Sequence, residues 1–282
     1  MGRHTLEYPK TSTNTVRRKS DRASYALETI HSLVNAAQLL DVAFNPPDSP
    51  FPVILPMVGH MGSFDRPSAD LGHPLDLYLH GYVSSRMMNL ARSSSSSSPS
   101  PPSSSPSSPS SSSSPQDEEE EQGLPVCIAT SRVDALILAT SPFSHSYNYR
   151  SATLFGRASL VTDAAEKLYA MELITNGVVP DRWRSSRQPP TGAEMQSTAI
   201  LRVAVSSGSA KFRDGGVHDD RHDLEDEGAQ STVWTGVLPV FSSIGEPIPT
   251  GYNKVETPAN VADFVRDYNK QNEEYVLAAA KK

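Results

Sequence analysis

Residues 93 to 122 set the first limit on what this chain can fold into. They run from a serine tract through mixed Ser and Pro to Gln116-Asp-Glu-Glu-Glu-Glu-Gln122, with no apolar side chain other than proline. Such a stretch cannot bury enough surface to offset the entropy of ordering it, so it reads as disordered. Loop-closure entropy rises only logarithmically with length, so an insertion of this kind in a surface loop costs little. The 282 residues therefore reduce to one domain, residues 1–92 and 123–240, followed by a C-terminal extension over 241–282. The two halves of the domain must meet across the insertion.

Apolar spacing predicts how they do so. A helix is expected over about Ala26–Gln38, with Leu27, Ile30, Leu33, Val34 and Ala37 on one face. Strands are expected at Leu40–Phe44, Phe51–Val58, Leu75–Tyr82, Leu124–Thr130, Ala135–Ala139, Asn148–Val161 and Thr198–Ser206. In Leu75–Tyr82 the residues Leu75, Leu77, Leu79 and Gly81 share one face, and Asp76, Tyr78, His80 and Tyr82 the other. A second helix is expected over Asp163–Asn176, capped by Thr162 or Asp163 and ended by Gly177. Pro258–Lys282 reads as a terminal helix with Val261, Phe264, Val265, Tyr268 and Tyr275 on one stripe. Several short strands with helices kept outside indicate a mainly β, α+β chain: an antiparallel barrel with peripheral helices.

Two segments concentrate polar groups suited to a phosphorylated, planar ligand. In Tyr78–Ala91, Ser84 and Ser85 start a short helix whose apolar stripe is Val83, Met87, Leu90 and Ala91. Serine there accepts from free first-turn amides, and a helix N-terminus attracts anions. Arg86 adds a planar fork that matches phosphate oxygens. The same residues fit a plain helix cap and a solvated charge. In Ser144–Ala158, six consecutive polar residues, His145 to Arg150, lead into a strand interrupted by Gly156 and Arg157.

Taken in order, these segments resemble the flavin-nucleotide-binding branch of the pyridoxamine 5′-phosphate oxidase-like family, split β-barrels that bind FMN at a homodimer interface. The resemblance covers residues 15–240. It implies a split β-barrel fold, FMN as cofactor, a homodimer and an oxidoreductase acting on a small molecule. By the same resemblance Ser84, Ser85, Arg86, Arg150 and Ser151 would contact the flavin phosphate or ribityl chain. His145 and Asn148 would lie on the rim near the isoalloxazine ring. Lys211 and Arg213 would place positive charge near the phosphate or the reduced flavin. Arg22 ends an Arg-rich lead similar to the family's, Phe51–Met57 resembles its second strand, and Trp234 falls in its closing motif. Two alternatives stay open on the same fold: a haem-binding protein with His60, His80 or His145 as axial ligand, or a barrel that has lost its ligand and acts as an interaction module.

Charge and cysteine content exclude other classes. The formal charge is −7, of which Asp117 and Glu118 to Glu121 supply five, leaving a nearly neutral domain. Its longest basic run is Arg17-Arg-Lys19, so no nucleic-acid partner is expected. Cys127 is the single cysteine, which rules out an intramolecular disulfide and a thiolate metal cluster. His218 and His222 have a zinc-like spacing, but Gly215, Gly216, Asp219 and Asp220 predict an acidic loop, and no metal is expected. The first residues lack an apolar leader core and no run reaches membrane-span length, which predicts a soluble, cytoplasmic protein without a membrane partner. Excising residues 93–122 is expected to leave Tm nearly unchanged in a thermal melt; a large drop would mean that the segment packs.

Overall fold

The computed structural model describes residues 5–96 and 122–282. Most of the expected insertion, residues 97–121, lies outside the described residues. A two-residue strand, β1 (Ala23–Ser24), precedes helix α1 (Leu27–Asn35) and strands β2 (Leu40–Phe44), β3 (Val53–Met57), β4 (Gly59–Gly62) and β5 (Asp76–Tyr82). Helix α2 (Arg86–Ser96) follows, then the long hairpin of β6 (Leu124–Leu138) and β7 (Ser146–Leu160). Next come α3 (Ala164–Val178), α4 (Gly192–Ser197), β8 (Thr198–Arg213), and the short helices α5 (Arg221–Leu224) and α6 (Glu227–Thr232). Strand β9 (Gly236–Pro239) and helix α7 (Ala259–Ala279) complete the chain.

All pairings are antiparallel, in the order β3-β2-β6-β7-β8-β5-β4, with β1 added on β8 and β9 on β6. The two ends of this order are consecutive in the chain. Met57 of β3 pairs with Leu40 of β2, while Gly59 of β4 pairs with Leu79 of β5. The backbone carbonyl of Val58, between them, accepts from His80 N–H at 2.9 Å. One continuous segment thus belongs to both edges and closes the sheet into a split β-barrel, leaving few free edges.

Alternation fills the interior as expected. Leu40, Val42, Leu77, Leu79, Ile128, Leu154, Leu201 and Val203 are fully buried in one cluster, joined by Ile30 and Val34 of α1 and Met87 and Met88 of α2. Removing one such side chain, as in Leu154→Ala, costs about 2–5 kcal/mol. One expectation needs correction. The strands expected at Leu124–Thr130 and Ala135–Ala139 are one strand, β6, which absorbs an irregularity between Val133 and Ala135. A second register shift, between Phe155 and Gly156, bends β7; a Cβ at Gly156 would lie 2.3 Å from the Ala204 carbonyl oxygen. Tyr78 lies on the face of β5 opposite Leu77 and Leu79, as expected, and is 0 % exposed, because α3 covers that face and encloses Tyr78 with Ala170, Ile174 and Ile200.

That second face holds a charged cluster. Tyr78 Oη donates to Glu166 Oε1 at 3.0 Å, and Arg202 Nη1 lies 3.6 Å from the same oxygen. Burial pushes the nearby Asp76 carboxyl up to about 6; Arg202 opposes the shift, and Glu166 and Asp65 add to it. An acid with a raised folded pKa stabilises the fold at low pH, and that contribution is lost as pH rises from the unfolded value of 3.8 through about 6. Asp76→Asn is therefore expected to raise Tm at pH 7.5, with most of the gain lost at pH 4. A gain of equal size at both pH values would contradict this placement of the carboxyl.

Candidate functional site

The Arg-rich lead turns back on the barrel at Lys19, which takes a left-handed conformation (φ 55°), so that Arg22 and β1 run beside the end of β8. Lys211 Nζ donates to the Arg18 carbonyl at 3.0 Å and fixes the two segments together. Across the β6–β7 turn stand Phe143, His145 and Tyr149. Together they line a cavity of about 710 Å³ with Arg18, Lys19, Arg22, Lys211, Arg213 and His218 in its wall. Among the described residues none of these five cations forms a salt bridge.

Arg213 is the decisive member. It is 7 % exposed, and among the described residues its guanidinium hydrogen-bonds to Asn148 Oδ1 (Nη1, 2.7 Å) and the Gly216 carbonyl (Nη2, 3.5 Å). Asp214, the nearest acid in sequence, is taken by Lys282 Nζ at 2.7 Å. Burial lowers the Arg213 pKa and the charge on Arg22 lowers it further. Tyr149 and Asp214 oppose that shift without forming a salt bridge to Arg213; a buried cation lacking an ion-pair partner is costly to fold around, and an anion supplied from outside reduces that cost. Asn148, 0 % exposed, holds the guanidinium in place; its Nδ2 donates to the carbonyl of Gly215, whose φ of +93° suits glycine. His145 accepts from Ala139 N–H through Nδ1 at 3.0 Å, so the neutral ring carries its proton on Nε2 and presents a donor.

The structure therefore brings His145, Asn148, Lys211 and Arg213 to one basin. It places the other sequence-derived candidates elsewhere. Ser84, Ser85 and Arg86 sit at the start of α2, outside the basin: Ser85 Oγ accepts from Met88 N–H (3.4 Å), and Arg86 pairs with Asp48. Arg150 is bidentate on buried Asp134 (Nε–Oδ2 3.0 Å, Nη2–Oδ1 2.8 Å) and lies 3.7 Å from the centre of the Tyr275 ring. Ser151 Oγ donates to the Lys211 carbonyl at 3.3 Å. Arg18, Lys19 and His218 were not among the expected contacts; the basic run Arg17-Arg-Lys19 was the signal for the first two.

A second cavity, of about 520 Å³, lies between β4, α3 and α7. Its wall is mainly apolar, with Val58, Ile174, Val178, Val179 and Phe264, and it contains His60. Gly177, expected to end α3, is instead followed by one more helical residue, Val178, and its role is packing. A Cβ there would fall 2.6 Å from His60 Nδ1. The imidazole thus packs edge-on against the Gly177 backbone of α3. No side-chain hydrogen bond holds His60 among the described residues, and burial lowers its pKa, so the ring is neutral at pH 7. His80 is exposed. Asp220, His222 and Asp223 gather around the single turn of α5, with His222 Nε2 3.1 Å from Asp223 Oδ1.

Residues 109–212, which include all of β6, β7 and most of β8, match the sequence family described as pyridoxamine 5′-phosphate oxidase. The chain is a split β-barrel, and over that stretch its sequence is similar to this family. The fold recurs in a flavocytochrome from Azotobacter vinelandii, 23 % identical, with a TM-score of 0.66 over 90 % of this chain and 97 % of that one. It recurs too in an FAD- and haem-binding protein from Mycobacterium smegmatis, 22 % identical, with a TM-score of 0.64 over 86 % and 97 %. Comparison with curated protein sequences gives no match. Among the described residues, no helix is long and apolar enough to cross a membrane.

The basin makes a ligand-independent prediction for this split barrel. Inorganic phosphate at ten times its Kd should stabilise the wild type by about 1.4 kcal/mol and raise Tm. Chloride at the same ionic strength should do less, and Arg213→Ala should abolish the difference. A phosphate effect that survives Arg213→Ala would place the anion elsewhere.

Proposed function

We propose that the chain is an FMN-binding flavoprotein that catalyses a redox reaction on a small molecule. The observation that supports this reading is Arg213: a buried guanidinium, held by Asn148, without a carboxylate partner, in a basin of four further cations. The flavin phosphate would pair with Arg213, Lys211 and Arg22, and the Nε2–H of His145 would donate to the ribityl chain or the ring edge. The bound flavin supplies the redox chemistry; the protein supplies position and a positive field that favours the anionic reduced ring. The two solved proteins of this fold that are described as a flavocytochrome and an FAD- and haem-binding protein support a flavin and make FAD the competitor to test.

The same reading has the basin shared by two copies of the chain. Phe143 is 98 % exposed at its edge and Trp234, on the adjoining β9 side, is 63 % exposed. In a two-fold dimer a partner's Ser84–Arg86 helix start could complete the phosphate contacts. Titration with FMN and with FAD, followed by flavin fluorescence, tests the cofactor. Arg213→Ala should weaken FMN by about 1.5–3 kcal/mol, tenfold or more in Kd. Unchanged affinity would remove the basin from the site, and tighter binding of FAD would replace FMN. Light scattering with FMN present should report twice the 30.5 kDa chain mass.

His60 supports a second reading, in which the mainly apolar cavity would hold haem and the His60 imidazole would supply a ligand to its iron. Its neutral, unbonded ring in a 520 Å³ apolar space fits that role. Haemin added to the purified protein should give a Soret band that His60→Ala abolishes and Arg213→Ala leaves intact.

A further inference from the structure

The C-terminal helix α7 forms one wall of the His60 cavity, and its two halves are attached in very different ways. Near its C-terminal end, Val276 and Ala279 are its only buried residues. There the Ala279 carbonyl accepts from Gly215 N–H (2.8 Å), Lys282 reaches Asp214, and the Tyr275 ring lies over Arg150. Arg150 is already paired with Asp134, so this end rests on a cation whose position does not depend on the helix.

The N-terminal half, which carries Phe264 and Tyr268 over the cavity, has no buried residue. Polar pins hold it: Tyr268 Oη accepts from Gln38 Nε2 (3.3 Å), Asn260 Nδ2 donates to the Pro180 carbonyl (2.8 Å), and Asn269 pairs with the backbone of Ile244. The segment leading into it, residues 240–258, has no helix or strand, and Ile248 is 93 % exposed. Elements with little apolar burial and solvent-reached hydrogen bonds open most readily.

We propose that the N-terminal half of α7 is a hinged cover that pivots about its anchored C-terminal end to admit a ligand to His60. Opening exchanges a few polar pins for water, exposes the half-buried rings of Phe264 and Tyr268, and leaves the Arg150–Asp134 pair intact, so no buried charge is stranded. The cover acts on the cavity whatever occupies it, and stands apart from the flavin and haem readings.

Hydrogen exchange on the full chain tests the pivot. Amides of residues 262–272 should exchange at least tenfold faster than those of residues 275–280, and far faster than those of β7. Uniform exchange along α7, or exchange only at the rate of global unfolding, would overturn the proposal. Acylation by diethyl pyrocarbonate supplies a second reading, because His60 is neutral and reactive only when reached. His60 should react at least tenfold more slowly than exposed His80 in the wild type, and several-fold faster in Tyr268→Ala than in the wild type. A wild-type His60 as reactive as His80 would mean the cavity is already open, and equal His60 rates in variant and wild type would mean α7 does not guard it.

Discussion

The antiparallel pairing of three long strands, β6, β7 and β8, is the constraint on which the rest of the molecule depends. Each is long enough to wrap partway around a barrel, and the register shifts at Val133/Ala135 and Phe155/Gly156 supply the curvature. Their outer edges take β2, β9, β1 and β5, and the β3–β4 segment then closes the ring. The β6–β7 turn delivers His145, and the last residues of β8 deliver Lys211 and Arg213 to the same end. A one-residue slip between β7 and β8 would send these cations to the opposite face. The basin is thus a product of strand register more than of any single loop.

Much of this was legible in the chain, and the failures have physical causes. The 2-residue periodicity of Leu75–Leu79 and the helical spacing of Leu27, Ile30 and Val34 report local patterns, and both describe the structure. The face of Tyr78 was legible but its burial was not, because that comes from α3, some ninety residues later, and no local pattern records a covering helix. The run His145–Arg150 was recognisable as unusual, yet its members serve different ends: Asn148 turns to Arg213, while Arg150 turns to Asp134 and Tyr275. Adjacent residues in a motif share sequence, but their partners are non-local, and the partner decides the role. Gly177 illustrates the same point, since a glycine near a helix end signals a cap until the neighbouring imidazole is seen.

Net charge is also a poor guide to local potential in this protein. The chain is acidic overall, yet the basin holds five cations without a salt bridge among the described residues. Asp214, the acid nearest to Arg213 in sequence, forms its salt bridge with Lys282. An anion entering the cavity meets five cationic side chains although the molecule's total charge is negative.

The Arg150–Asp134 pair has a consequence for how such sequences can drift. Replacing either residue alone strands a buried charge, at about 3–5 kcal/mol, whereas replacing both by apolar residues of similar volume is often nearly neutral. The two positions are therefore expected to covary, moving together or staying fixed. Tyr275 joins them as a third party, because its ring is useful there only while a cation lies beneath it. A relative that has lost the arginine should show a different side chain on its terminal helix, which would tie the history of a barrel motif to that of a distant appendage.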